Sequence, residues 1–239
     1  MHRIFTRWKN KALDLVFPNV CLGCKQAGTL LCGKCRSLLH WIPPTCIVCR
    51  KFVPAGPKTP AGRTCAYCQK KSFIYAFLSP FSYDSELVRG LIHTLKYSKV
   101  TDLGVILGKL LAEYIRKYGV ILPKDILLVP LPLHKSRERT RGFNQSLLIA
   151  QNLAQEVALP LEANALKKTK KTKAQVEFGA EERRKNIVGT FGVSDPLLVK
   201  DREILLLDDV KTTGATLEEA GRVLKEAGAK RVWAITVAH

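Results

Sequence analysis

Four cysteine pairs of the form Cys-x-x-Cys constrain this chain more than any other feature of the sequence. All eight cysteines of the 239 residues belong to such pairs, and all lie before residue 70. A two-residue spacing lets a tight turn direct both thiolates at one ion, and two such turns complete a tetrahedral Cys₄ zinc site. Because four sulfurs leave no open coordination position, we predict two structural zinc ions. The predicted ligands are Cys21, Cys24, Cys32, Cys35, Cys46, Cys49, Cys65 and Cys68.

The spacing of the pairs leaves two groupings of these ligands open. In a sequential grouping, the first two pairs share one ion and the last two share the other, with intervening loops of 7 and 15 residues. In an interleaved grouping, the first pair joins the third and the second joins the fourth. We favour the sequential grouping, which makes residues 19–71 a double zinc ribbon. A module of about 50 residues with so few apolar side chains depends on its metal for stability.

Charge is concentrated in the same part of the chain. The net charge is +19, and residues 1–75 contain 13 Lys/Arg but a single acid, Asp14. The rest of the chain has 26 Lys/Arg and 19 acids. Such an excess favours a polyanionic partner, most simply nucleic acid, although a lysine-rich soluble surface is the plainer alternative. The hydrophobic content of 46% excludes a disordered chain.

The first 18 residues are predicted to form an amphipathic helix. No run in the chain approaches the roughly 18 apolar residues of a membrane-spanning helix, and the start lacks the features of a secretory signal. We therefore expect a cytoplasmic protein. The helix either docks on the protein itself or makes at most peripheral contact with the inner membrane. Its apolar positions are Ile4, Phe5, Trp8, Ala12, Leu15 and Val16.

From residue 72 to 239, apolar strands alternate with amphipathic helices. Strands that are apolar on both faces and alternate with helices predict an α/β domain, in which a parallel sheet is covered by helices on both faces. The predicted strands are 73–78, 126–129, 191–193, 204–207 and 232–237, and the predicted helices are 85–97, 102–118, 145–158 and 217–227.

The segment ILLLDDVKTTGAT, residues 204–216, ends a buried strand with two adjacent carboxylates and a turn of small residues. Ligands of parallel sheets bind at the carboxyl ends of the strands. A capping box of Thr216 and Glu219 is expected to start the next helix, whose N-terminus favours a phosphate. Asp208 and Asp209 suit the vicinal hydroxyls of a sugar that carries this phosphate, directly or through Mg²⁺.

This segment resembles the phosphoribosyl pyrophosphate (PRPP) loop of the type I phosphoribosyltransferases. The resemblance implies that the two acids hold the ribose hydroxyls of Mg²⁺-bound PRPP and that the turn holds its 5′-phosphate. The implied PRPP-binding residues are Asp208, Asp209, Lys211, Thr212, Thr213, Gly214, Ala215 and Thr216.

A second anion-binding segment is expected after the strand that ends near Val129. Val129-Pro-Leu-Pro132 reaches the same edge of the sheet, and a long basic loop follows it. Such a loop can close over a pyrophosphate, although basic loops are often only solvated surface. The candidate residues for this role are Leu131, Lys135, Arg137, Arg139 and Arg141.

Three further segments and the cysteine pairs together resemble the ComF family, whose members carry a double zinc ribbon before a phosphoribosyltransferase-like domain. The segments are VPLPLHKSRERTRGFNQ (129–145), KTKKTKAQ (168–175) and EERRKNIVGTF (181–191). In the second one, Lys168 and Lys170 stand where the family has arginines, and Ala174 replaces a proline. Charge is kept, but the planar bidentate geometry of arginine is lost.

The family resemblance implies a competence-associated factor that acts on incoming single-stranded DNA and contacts the competence machinery. The candidates for base stacking near the basic region are the aromatic residues Trp8, Trp41, Tyr67, Phe73 and Tyr75. Two alternatives remain open: an active transferase that moves phosphoribose from PRPP to an unknown acceptor, and a PRPP-responsive regulator without catalysis.

Overall fold

A computed structural model describes residues 19–57, 59–170 and 187–239. The predicted helix over 1–18 and parts of the segments 168–175 and 181–191 lie outside the described residues. We call residues 19–71 the ribbon module and residues 72–239 the sheet domain. Across the described ranges, no helix combines the length and the apolar character that a bilayer crossing requires.

The helices and strands follow the predicted alternation along the chain. The strands are β1 (Ile74–Leu78), β2 (Leu127–Pro130), β3 (Leu166–Lys168), β4 (Phe191–Val193), β5 (Glu203–Val210) and β6 (Arg231–Ala238). The helices are α1 (Gly33–Ser37), α2 (Ala66–Gln69), α3 (Glu86–Tyr97), α4 (Leu103–Lys117), α5 (Lys135–Arg141), α6 (Gln145–Val157) and α7 (Ala215–Glu226).

Four strands form a parallel sheet in the order β1-β6-β5-β2. Its register places Leu205 of β5 beside Leu128 of β2 on one side and Trp233 of β6 on the other. The strand predicted at 191–193 does not join this sheet. It pairs antiparallel with β3, a strand that the sequence did not predict, in a separate two-stranded sheet.

Helices cover both faces of the parallel sheet, as the apolar strands predicted. Leu205 and Leu207 point to one face, where they pack with buried residues of α3, α4 and α6. Ile204 and Leu206 point to the other face and pack with Leu217 and other buried residues of α7. This two-sided burial explains why β5 is continuously apolar until its last residues, and it leaves the polar end of β5 at the carboxyl edge of the sheet.

The ribbon module packs directly on the sheet domain. Trp41 lies between Phe81 and Tyr114, with ring centroids 4.8 and 6.3 Å away. The chain also runs along the outer edge of β1, where the Phe77 N–H donates to the carbonyl oxygen of Gly62 at 2.9 Å. A side chain at position 62 would overlap the Phe77 carbonyl, so this close approach requires glycine.

Candidate functional site

The eight cysteines converge into two separate tetrads in the order of the sequence. Within each tetrad, all the sulfur atoms lie within 4.8 Å of one another. The sequential grouping is therefore confirmed and the interleaved one is excluded. The first tetrad is Cys21, Cys24, Cys32 and Cys35, and the second is Cys46, Cys49, Cys65 and Cys68.

The geometry of both tetrads fits tetrahedral zinc. With zinc–sulfur bonds of about 2.3 Å, a tetrahedral site places its sulfurs about 3.8 Å apart. The Sγ atoms of Cys24 and Cys32 are 3.7 Å apart, and those of Cys49 and Cys65 are 3.8 Å apart. The Cys32 N–H donates to the Sγ of Cys21. This hydrogen bond is the largest cause of the lowered pKa of Cys21, which is about 6. Thiolates stabilised in this way are the form that binds metal.

Glycine at position 23 is a requirement of the first tetrad. A Cβ atom on Gly23 would lie 2.6 Å from the Sγ of Cys35, closer than any side chain tolerates. The first Cys-x-x-Cys turn thus has room for its sulfurs only because its third residue lacks a side chain.

At the carboxyl edge of the sheet, the two adjacent acids end β5 and do not begin a loop. The strand continues through Asp208 and Asp209 to Val210, three residues beyond the predicted end. Asp209 is buried, its Oδ1 accepts from the Val210 N–H at 2.9 Å, and its Oδ2 forms an ion pair with Lys96 of α3. Burial alone would lower the pKa of Lys96, but the carboxylates of Asp209 and Asp208 raise it overall.

Asp208 faces the more open side of the site. Its Oδ1 accepts from the hydroxyl of Ser146 at 3.0 Å and from the Asp209 N–H at 2.9 Å. Burial, followed by the neighbouring charge of Asp209, raises the pKa of Asp208 to about 7. The two acids therefore differ: Asp209 already has a cationic partner, whereas Asp208 is open to a hydroxyl group or a metal ion.

Sequence reasoning missed Lys96 and Ser146. Lys96 lies in the last turn of α3, a helix noticed only for its apolar stripe, and it is separated from Asp209 by more than a hundred residues. Ser146 lies in the first turn of α6, two residues after Asn144, which caps this helix by accepting from the Ser146 N–H. Neither residue carries a local pattern that indicates a contact with the acids.

The small-residue turn after β5 forms as expected, but its helix starts differently. Gly214 occupies the N-cap position with φ of 82°, and α7 begins at Ala215. The capping box of Thr216 and Glu219 is therefore wrong. The Glu219 carboxylate instead accepts from the Gly189 N–H at 2.7 Å and from the guanidinium of Arg222, so it cannot reach back to the start of α7.

Lys211 is folded underneath this turn. Its side chain is buried, its Nζ lies 5.5 Å from the centre of the Phe77 ring, and its Cε lies beneath Gly214. Burial, and next the positive charge of Arg50, lowers its pKa. The other predicted turn residues lie closer to solvent, with Thr212 exposed and Thr213, Ala215 and Thr216 half-buried.

The segment predicted as a basic loop folds mostly into α5. The His134 side chain caps this helix by accepting from the Ser136 N–H, and Gly142 ends it with φ of 90°. Leu131 is buried, its N–H donates to the Leu207 carbonyl, and its own carbonyl accepts from Asn144. The N–H of Leu131 is therefore not available to bind an anion. The basic residues are the remaining candidates for the anion-binding segment.

Of these basic residues, two contact neighbours in the structure. The Arg141 guanidinium lies 5.7 Å from the centre of the Tyr97 ring and donates to Gln145. Arg137 lies close enough to Lys168, at the end of β3, to contribute to the lowered pKa of that lysine, for which burial is the larger cause. Asp208 acts on Lys168 in the opposite direction. Lys135 and Arg139 are exposed on α5.

Comparison with known proteins gives matches over almost the whole chain. The phosphoribosyl transferase domain family matches residues 144–239. DNA utilization protein YhgH of Escherichia coli (strain K12) is 30% identical over 223 residues, which covers 86% of this chain and 96% of that protein. Competence protein F of Haemophilus influenzae is 30% identical over 235 residues, covering 93% and 92% of the two chains. Competence protein ComFC of Bacillus subtilis is 34% identical over 137 residues, covering 56% and 53%.

Proposed function

This chain belongs to the ComF family of competence proteins, and on that premise we propose that it is a DNA-uptake factor of natural transformation that also binds PRPP. It acts on incoming single-stranded DNA in the cytoplasm, together with a protein of the competence machinery. The family membership rests on relatives of 30% identity that are named for competence or DNA utilization. The basic excess in residues 1–75 supports the nucleic-acid part of the proposal.

The PRPP site is supported chiefly by two lysines: Lys168, on whose pKa Asp208 acts, and Lys211, which directly follows β5. Lys168 and Lys211 both have a pKa lowered by burial and by a neighbouring cation. Among the described residues, no carboxylate lies within ion-pair distance of either ammonium group. A bound phosphate or pyrophosphate would offset the repulsion between these lysines and their neighbouring cations. The site is therefore complementary in charge to a sugar phosphate.

In this proposal, each part of PRPP meets a different part of the site. The ribose hydroxyls meet Asp208 directly or through Mg²⁺, whose preference for carboxylate oxygen fits this open group. The 5′-phosphate lies on the backbone N–H groups of the turn over 212–216, at the start of α7. The pyrophosphate lies towards Lys168 and the basic residues of α5, which are Lys135, Arg137, Arg139 and Arg141.

Thermal unfolding with PRPP and Mg²⁺ tests this site. We expect the ligand to raise the melting temperature of the wild type, and we expect Asp208→Asn to abolish the increase, since an amide cannot replace the carboxylate. Asp201→Asn is the matched control, because Asp201 is exposed and precedes β5, at the opposite end of this strand from the turn. Unchanged stabilisation of Asp208→Asn would place the ligand elsewhere.

Exposed aromatic residues of the ribbon module and its border support a role in binding single strands. Tyr67 is 76% exposed, with the Lys71 ammonium 5.0 Å from its ring centre, and Phe73 is 48% exposed. Bases can stack on such rings while lysine contacts the backbone. Trp41 and Tyr75 are unsuited to stacking, because Trp41 packs against Phe81 and Tyr75 against Trp233.

Titration of a labelled oligonucleotide at rising salt tests the nucleic-acid part. The logarithm of the affinity should fall linearly with the logarithm of the salt concentration. Tyr67→Ala should weaken binding at every salt concentration, whereas Leu38→Ala, which changes a residue that is 71% exposed in the same module, should not. A flat salt response would remove the nucleic-acid proposal.

An active transferase is the second candidate, favoured by the family match over 144–239, which includes the whole Asp-Asp-turn segment. In that reaction, the bond from C1 of the ribose to the pyrophosphate oxygen breaks, a bond from the acceptor to C1 forms, and pyrophosphate leaves. Incubation with labelled PRPP and candidate bases or amines separates the alternatives. Pyrophosphate release identifies the transferase, whereas binding without release favours the regulator or the uptake factor.

Disruption of the gene in a naturally transformable bacterium tests the biological role. We expect a loss of transformation by marked DNA that the wild-type gene restores. Complementation with Asp208→Asn then tells whether the PRPP site is needed for uptake. Normal transformation after disruption would contradict the proposal.

A further inference from the structure

Two basic side chains pack against one aromatic ring next to the turn over 212–216. Lys211 is only 7% exposed, and its Nζ lies 5.5 Å from the centre of the Phe77 ring. The His239 ring packs against the same ring at a centroid distance of 5.6 Å and an interplanar angle of 84°. The Nδ1 atom of His239 is buried without a hydrogen-bond partner among the described residues. This corner of the site therefore holds a buried lysine whose ammonium lies against an aromatic ring, next to a buried nitrogen without a hydrogen-bond partner.

The second zinc tetrad brings a third basic group to this corner. Ile47, between the ligands Cys46 and Cys49, is buried in the same cluster as Phe77 and Leu217 of α7. This packing holds the Cys46–Cys49 turn against the sheet domain, beside the turn over 212–216. Arg50 follows Cys49 directly, and its N–H donates to the Cys46 carbonyl at 2.9 Å.

The charge of Arg50 acts on both Lys211 and His239. Burial, followed by the charges of Lys211 and Arg50, lowers the pKa of His239 to about 4. The nearest opposing charge on Lys211 is Glu218, whose carboxylate is already bonded to the Ser72 hydroxyl and the Phe73 N–H. The charges of Arg50 and Lys211 therefore repel each other beside a neutral His239, and a bound phosphate would offset this repulsion.

We propose that the second zinc ribbon supplies Arg50 to the sugar-phosphate site, where Arg50 and Lys211 together bind the phosphate group that lies on the turn over 212–216. This inference rests on the PRPP site proposed above and extends it across the two parts of the molecule. Because Arg50 directly follows a ligand of the second tetrad, the metal-bound turn holds it in place. The ribbon module then contributes to small-ligand binding as well as to any contact with DNA.

Calorimetry of the zinc-loaded protein with ribose 5-phosphate tests the inference. We expect Arg50→Ala to weaken binding about tenfold, since it removes a charge-assisted contact to a phosphate. Lys51→Ala is the matched control: it removes the same charge from the next residue, which is exposed, and it should change the affinity less than about twofold. Equal affinities of Arg50→Ala and the wild type would overturn the inference while leaving the PRPP site intact. Absence of binding by the wild type would overturn both.

Two further measurements distinguish a binding role from other roles of Arg50. Without ligand, the melting temperature of Arg50→Ala should equal or exceed that of the wild type, because the substitution removes the repulsion between Arg50 and Lys211. A lower melting temperature with normal ribose 5-phosphate affinity would make Arg50 structural and overturn the inference. If Arg50→Ala weakens oligonucleotide binding and leaves ribose 5-phosphate unaffected, the phosphate in question belongs to DNA, and the inference is also overturned.

Discussion

The ribbon module and the sheet domain are stabilised in opposite ways. In the ribbon module, two cysteines of each tetrad are buried, and few apolar residues, such as Leu30 and Leu39, reach the shared core. In the sheet domain, strands such as β5 bury apolar side chains on both faces. We therefore expect stability in the first to depend on bonds from sulfur to metal, and in the second on removal of apolar surface from water.

This difference in stabilisation determines where each region can tolerate polar groups. Metal ligation fixes the ribbon turns without a large core, so basic residues can occupy most of the surrounding surface. The sheet domain concentrates its unfavourable polar groups at one edge, where Asp208, Asp209 and Lys96 meet. The following experiments test this contrast between the ribbon module and the sheet domain.

Removal of zinc should have the largest effect and should be confined to the ribbon module. A structural zinc site contributes about 10–16 kcal/mol in small peptides at neutral pH, so a chelator should unfold these turns. We expect release of about two zinc equivalents, one for each tetrad, measured with a colorimetric indicator. Hydrogen exchange should rise in the turn from Cys46 to Lys51 and stay slow in β5 and β6. Loss of protection in β5 and β6 at the same chelator concentration would show that the two regions are one cooperative unit.

Substitution of Asp209 should cost more than substitution of Asp208. Asp209→Asn leaves the buried Lys96 without its partner, and breaking a buried pair costs roughly 3–5 kcal/mol. Asp208→Asn removes a partly exposed carboxylate that its surroundings disfavour, so the free energy of unfolding should stay the same or rise. Urea denaturation at pH 7.5 measures both changes. Equal losses for the two variants would mean that the acids are equivalent after all.

Loss of the Trp41 side chain should weaken the attachment of the ribbon module. Trp41 packs against Phe81 and Tyr114, and it is only partly buried, so Trp41→Ala should lower the free energy of unfolding by roughly 2–3 kcal/mol. The zinc content should stay unchanged, because no tetrad contacts this ring. Ile121→Ala, at a residue that is 80% exposed, serves as the control and should change stability by less than about 0.5 kcal/mol.

The smallest expected effect is a pH dependence of stability caused by Asp208. Its pKa in the folded protein, about 7, is above that of an unfolded aspartate, so the folded state holds the extra proton between about pH 4 and 7. Stability should therefore fall as the pH rises through this range, by about 1–2 kcal/mol, since partial exposure reduces the burial effect.

The buried His239, with a pKa of about 4, gives the opposite slope over part of the same pH range. The contribution of Asp208 is therefore the difference between the urea denaturation curves of the wild type and Asp208→Asn at each pH. A difference that does not change between pH 5 and 8 would contradict the raised pKa.

Local patterns in the sequence were sufficient to predict the two tetrads, the apolar strands and the turn after β5. The tetrads were predictable because the ligands of each lie close together in the chain. The pairing of Lys96 with Asp209 was not predictable, since it depends on how α3 packs over the sheet. The start of α7 was predicted wrongly because Glu219 has a stronger partner in Arg222 than the backbone of Thr216 offers. Long-range packing decided the first of these contacts, whereas the second is a local pair within α7.

The contact between the chain around Gly62 and β1 has a consequence for aggregation. Arg63 and Ala76 form an antiparallel bridge, and the Thr64 N–H donates to the Tyr75 carbonyl at 2.8 Å, so the outer strand of the sheet has no unprotected hydrogen-bonding edge at this point. Unprotected strand edges recruit other chains into intermolecular sheets. Loss of zinc would therefore affect more than the ribbon module. Newly made chains without zinc would expose the hydrogen-bonding edge of β1, and they would aggregate or be degraded.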